Sequence, residues 1–123
     1  MDYETARQAL TEMADSLPRG IFRELNGGIV LIEDEVRDAN GIYILGHYHF
    51  QPQGLGRYIS IYYGSVMVVY GNCGEDEILA RLRGVLHHEL THHIEHLAGD
   101  KTLEHQDEED MRKILSSYNQ GGK

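Results

Sequence analysis

With 123 residues, 41% of them hydrophobic, the chain is long enough to bury a core of its own and is expected to fold as one domain over residues 1–123. Its 20 Asp and Glu outweigh 11 Lys and Arg, and the net charge of −9 argues against nucleic acid or an anionic membrane surface as a partner. No run approaches the roughly 18 apolar residues of a membrane span, Met1-Asp2-Tyr3-Glu4 has neither the basic start nor the apolar run of a secretory signal, and the single Cys73 has no partner for an internal disulfide, so a reducing cytoplasm is the expected location.

Tyr3, Ala6, Leu10, Met13 and Leu17 keep a three-to-four spacing, which predicts a helix over Asp2 to Leu17 that Pro18 and Gly20 stop. A short helix or turn follows to Leu25. The β-branched run after Asn26-Gly27-Gly28 predicts a buried strand from Gly28 to Glu33. A charged loop runs from Glu33 to the turn signal Asn40-Gly41. Ile42 to Phe50 reads as a second strand, Gln51-Pro52-Gln53-Gly54 as a turn, and Gly56 to Tyr63 as a third strand rich in aromatic and β-branched residues. Periodicity does not decide between strand and helix for Ser65 to Tyr70. A long helix is expected from Glu75 to Leu97 with Gly99 as its stop, then a last helix from Leu103 to Tyr118 with Thr102 as N-cap, and a frayed tail from Asn119 to Lys123. The order predicts an α+β fold, a small sheet with helices packed on it.

The long helix carries the chemistry. Within it, His88-Glu89-Leu90-Thr91-His92 is an H-E-x-x-H pattern. Helical residues four apart lie about 40° apart around the axis and about 6 Å apart along it, so two imidazoles so placed can grip one ion from the same side. Zinc suits the pair, because it accepts neutral imidazole nitrogen in a tetrahedral shell. Glu89 shares their neighbourhood and can take a proton from a water that the metal activates. Ile78, Leu79, Leu82, Leu86, Leu90, Ile94 and Leu97 form one wide apolar face, and His88 and His92 fall at its edge.

A catalytic zinc site needs a third protein ligand. Glu95 and His96 continue the same helix and recede along it, His96 by about 12 Å from His88. Residues past Gly99 can fold back, which makes Asp107, Glu108 and Glu104 the candidates, with His105 behind them. Elsewhere, His47 and His49 share a strand face and could hold a second metal or a substrate, although solvation is the plainer reading. Met67 and Met111 read as core, and Cys73 as incidental. Tyr62-Tyr63-Gly64, if it ends an edge strand, could pair with an extended peptide.

Around these residues the chain resembles the predicted zinc-dependent proteases with a minimal metalloprotease-like domain, a group of small bacterial zincins. The matching pieces are Leu25-Asn26-Gly27-Gly28-Ile29-Val30, Leu55 to Gly64, and His88-Glu89-Leu90-Thr91-His92-His93, and the resemblance spans about Glu4 to Leu115. It implies a zincin-like fold, one zinc held by His88 and His92, Glu89 as general base, and metallopeptidase activity on a peptide or protein substrate. The short form of that family places Gly and then Asp three and six residues after the second His, where this chain has Glu95 and Ala98. If Glu95 to Glu104 is an insertion, Gln106-Asp107-Glu108 supplies the equivalent acid, and Asp107 is the expected third ligand. The alternatives are a metal-binding or interaction module that keeps the zincin fold without turnover, and a metal-free adaptor.

Overall fold

The computed structural model describes residues 1–100 and 104–121, and the side chains of all of these except 118–121. Helix α1 spans Tyr3–Asp15, and Asp2 caps it by accepting a hydrogen bond from the Thr5 amide at 2.8 Å. A single 3₁₀ turn, Arg19–Phe22, follows Pro18 and buries Ile21. Strand β1, Gly28–Ile32, leads into a short hairpin of β2, Val36–Arg37, and β3, Tyr43–Ile44. Strands β4, Gly46–Gln51, and β5, Gly56–Tyr62, form a second hairpin. Three helices complete the chain: α2 at Tyr63–Tyr70, α3 at Glu75–Gly99 and α4 at His105–Gly121. The fold is α+β, with four α-helices and a small mixed sheet among the described residues. No helix among them is long and apolar enough to cross a membrane.

The main sheet has the order β1-β5-β4, with β1 parallel and β4 antiparallel to β5. The alternation of β5 sends Ile59 and Ile61 into the core, where both are fully buried, and Ile29 and Tyr48 flank Ile59 in register. Helix α3 lies across this inner face and inserts Leu82, Leu86, Leu90, Ile94 and Leu97. The sheet thus buries one face and leaves β4 as a free edge beside α3.

Several boundaries differ from the sequence reading, each for a local reason. The expected second strand breaks at Leu45, whose carbonyl accepts the Tyr62 amide at 2.9 Å, so β3 and β4 join different sheets. The expected charged loop contains β2, because the Ser65 hydroxyl accepts the Val36 amide at 2.8 Å and donates to its carbonyl at 3.2 Å. Ser65 to Tyr70 is helix, and α2 begins already at Tyr63. That corrects the edge-strand reading of Tyr62-Tyr63-Gly64: β5 is the central strand and already pairs on both sides, so it has no free edge for a peptide. Helix α3 continues through Gly99 to a cap at Asp100, and α4 extends to Gly121 through much of the expected frayed tail. The expected cap Thr102, the expected start at Leu103, the Tyr118 side chain and residues 122–123 lie outside the described residues. Met67 and Met111 pack against the core, as expected of fillers, and Cys73 is exposed.

Two glycines should respond oppositely to alanine. A Cβ at Gly64 would stand 2.6 Å from the backbone of Glu33, Asp34 and Glu35, whereas one at Gly84, inside α3, would meet open space. Gly84→Ala is expected to stabilise the protein by about 0.5–1 kcal/mol through helix propensity, and Gly64→Ala to destabilise it by more than that. Urea unfolding of both variants checks the pair, and a neutral Gly64→Ala would mean that the Glu33–Glu35 segment does not hold α2 closely.

Candidate metal centre

Positions 88, 89 and 92 divide between two environments because α3 turns through 100° per residue. His88 and His92 lie on the exposed flank of the helix, while Glu89 turns inward and is 5% exposed. The two rings meet edge to face at 4.6 Å between centroids, and their Nε2 atoms stand 3.1 Å apart. Two imidazole nitrogens bound to one tetrahedral zinc at about 2.0–2.1 Å stand roughly 3.4 Å apart, so the pair fits a shared ion with a small adjustment. The Nδ1 of His92 faces the Glu95 carboxylate at 3.3 Å. That contact favours a proton on Nδ1 and leaves Nε2 with its lone pair toward His88, the tautomer that a metal ligand needs. Arg112 of α4 holds the same carboxylate at 3.0 Å.

Glu89 lies under strand β4. A Cβ on Gly46 would stand 3.3 Å from its carboxylate and 2.6 Å from Val85 Cγ1, so glycine permits the close approach of strand to helix. Burial pushes the Glu89 carboxyl above the usual range, while His88, His92 and His47 pull in the other direction. One open cavity is lined by Gly46, His47, Tyr48, His88, Glu89, His92, Glu95 and His96, which brings the H-E-x-x-H side chains and the edge strand to one place.

Asp107 is not brought to that place. It is exposed in the first turn of α4 and lines none of the cavities that border His88 and His92. Its rivals are also elsewhere: Glu104 is exposed, Glu108 is paired with Arg112 at 2.7 Å, and exposed His105 with Glu109 at 2.9 Å. Among the described residues, no three His, Cys, Asp or Glu side chains form a group that could hold a metal. His47 and His49 do share a face, with rings 4.3 Å apart, but His49 stacks on Tyr58 and bonds Ser60 Oγ at 3.0 Å. His47 is the member of that pair that reaches the cavity.

A second network lies beside the first and was not read from the sequence. His93 is fully buried, with Nε2 2.7 Å from the Arg23 carbonyl and Nδ1 2.7 Å from the Tyr48 hydroxyl. A carbonyl only accepts, so Nε2 donates to it and Tyr48 donates to Nδ1. Burial holds the Tyr48 hydroxyl up at about 12, so it keeps its proton. Arg57 donates to His96 Nδ1 at 3.1 Å and pairs with Asp100 at 2.9 Å. His96 Nδ1 is thus engaged by Arg57, while its Nε2 stands 3.7 Å from Asp100 and the ring lines the same cavity as the motif pair. The signal for Tyr48 was present in the alternation of β4, because a residue between two outward histidines must point inward.

Comparison with known proteins adds a likeness in fold. No family model and no curated protein matches the chain. A solved structure of a conserved hypothetical protein from Thermo thermophilus is similar, with a TM-score of 0.71 and 28% identity, over 80% of this chain and 99% of that one. Nearly the whole of that protein thus finds its counterpart here, and its description attaches no activity to the shared fold.

The buried histidines set a pH dependence. Burial holds His87 and His93 below the ordinary value near 6.5. Below that value the unfolded chain takes up protons that the native one refuses, so their contribution is present above about pH 6.5 and is lost as pH falls toward their depressed native values. Glu89 acts in the opposite sense, since its raised carboxyl favours the native state at low pH and loses that contribution as pH rises through its native value. His87 Nδ1 is buried without a hydrogen-bond partner among the described residues, while the ring also bonds the Leu115 backbone; His87→Met fills the same space with an apolar side chain and gives up that one bond. Urea unfolding at about pH 7.5 and about pH 5.5 should show His87→Met losing less stability than wild type, and equal losses would mean that native His87 protonates freely.

Proposed function

We propose that the protein is a zincin-like, zinc-dependent metallopeptidase in which His88 and His92 hold the metal and Glu89 is the general base. The observation that carries this reading is the pair of Nε2 atoms 3.1 Å apart on one flank of α3, with a buried carboxylate one residue after the first of them. Bound zinc would polarise a scissile carbonyl and lower the pKa of a water. Glu89, whose burial raises its affinity for a proton, would take one from the attacking water and pass it to the leaving amine. Glu95 would orient His92 through Nδ1. Strand β4 supports a peptide substrate, because it is an edge strand, unpaired on its outer side among the described residues, that borders the same cavity and can pair with an extended chain. Asp107 is kept as the proposed third donor from the sequence, although it stands away from the pair.

No three-donor group stands among the described residues, and that observation favours a second reading, an interaction module that keeps the fold without bound metal or turnover. Zinc uptake distinguishes the two, since a catalytic site holds the ion with three protein ligands and an open position.

Zinc titration of tag-free protein tests the proposal. Wild type is expected to take up one equivalent, His88→Ala and His92→Ala to lose it, and His96→Ala to keep it. Glu95→Gln should weaken zinc by about 10–100-fold, and a matching loss in Asp107→Asn would place Asp107 in the shell. Glu89→Gln should keep zinc and slow hydrolysis of any cleaved peptide by about 10²–10⁴-fold. Equal zinc uptake by wild type and the His88 and His92 variants would end the metal assignment, and unchanged hydrolysis by Glu89→Gln would end the general-base role.

A further inference from the structure

A second cleft opens on the other side of Glu89 and His88. It has a volume of about 380 Å³ and runs from Leu45 and Gly46 on the sheet to Tyr70 of α2 and to Ala80, Arg81, Gly84 and Val85 of α3. That volume is at the low end of the roughly 300–1,000 Å³ of ligand pockets, which suits one side chain better than a whole ligand. Two walls carry no side chain, Gly46 and Gly84. Gly46 is explained by the Glu89 contact, but Gly84 is not explained by packing: its Cβ would meet nothing within 4 Å, and its φ is not in the left-handed region. A glycine inside a helix costs about 0.5–1 kcal/mol against alanine, so here it keeps space open one turn before His88 at an expense in stability. Tyr70 and Arg81 line the cleft together. The Arg81 guanidinium lies over the Tyr70 ring at 4.8 Å, and Glu77 holds its Nε at 2.8 Å. Leu45 and Val85 supply apolar sides.

We propose that this cleft is a side-chain subsite for an aromatic residue of a peptide, sized by Gly84 and walled by the Tyr70–Arg81 stack. The inference rests on the reading of His88, Glu89 and His92 as the reacting centre, because both Glu89 and His88 border the cleft. An aromatic ring matches the walls best. It can face a stacked guanidinium and phenol, slide over glycine at two points, and bury its edges against Leu45 and Val85. A chain paired with the free edge of β4 would pass the mouth of the cleft at Leu45 and Gly46, which places one of its side chains there without a turn in its backbone.

The test uses the full chain, ¹⁵N-labelled, with and without one equivalent of zinc, titrated with N-acetyl-phenylalaninamide and separately with N-acetyl-alaninamide. The phenylalanine compound is expected to shift the amides of Leu45, Gly46, Gly84 and Val85, with roughly tenfold or more tighter binding than the alanine compound. Gly84→Leu and Ala80→Leu, each checked for folding by thermal melting, should weaken it by a similar factor. Equal affinity for the two compounds, an unchanged affinity in both folded variants, or shifts confined to residues that do not line the cleft would overturn the subsite. Zinc uptake by the same samples separates the two ideas: docking without zinc uptake keeps the subsite and removes the metal reading, and zinc uptake without docking does the reverse.

Discussion

Helix α3 has to bury an apolar stripe and a carboxylate on adjacent flanks, and the rest of the molecule is arranged around that requirement. Leu82, Leu86, Leu90, Ile94 and Leu97 are all 2% exposed or less, packed on Ile59 and Ile61 of the central strand. Burial of each such side chain contributes about 1.5–3 kcal/mol. This packing fixes the rotation of the helix, and the rotation turns Glu89 inward while His88 and His92 stay at the rim. An isolated buried carboxylate is costly. The cost is met in part by the nearby imidazoles, which act against the upward pKa shift that burial causes.

Strand β4 is held against this helix by polar contacts as well as by packing. Tyr48 reaches across to His93, and His93 continues to the Arg23 carbonyl, so one buried imidazole ties the edge strand, the helix and the segment after the 3₁₀ turn. Arg57 and His96 add a second tie toward the end of α3. Both use histidines that could be mistaken for metal ligands by composition alone. Their geometry assigns them to structure: each ring nitrogen of His93 already has a protein partner, and His96 Nδ1 accepts from Arg57. The rings of His88 and His92 differ, since their Nε2 atoms face each other at the surface and a carboxylate takes the remaining Nδ1 of His92.

Helix α4 relates to the site through Arg112, which pairs with Glu95 and Glu108 and so connects the carboxylate beside His92 to the last helix. These side chains are close to half exposed except that of Glu108, and exposed pairs contribute little to stability. Their consequence is positional. With Glu108 engaged by Arg112, the acid that the sequence offers next is Asp107, which faces solvent.

The sequence by itself determined the elements with strong periodicity and the pair at the centre of the site. The stripe from Ile78 to Leu97 fixed α3, its 3.6-residue repeat fixed His88 and His92 as neighbours, and the β-branched runs of β1 and β5 marked strands, because these patterns depend on neighbours a few residues away. Tertiary structure decided what depends on distant contacts. Ser65 turned an acidic loop into β2, pairing on both sides made β5 central and left β4 as the edge, and α2 formed where a short apolar run was equally compatible with a strand. It also separated six clustered histidines into rim, core and solvent positions, and left Asp107 away from the pair. The direction of a side chain after a chain reversal depends on how two helices pack, and no local spacing encodes that.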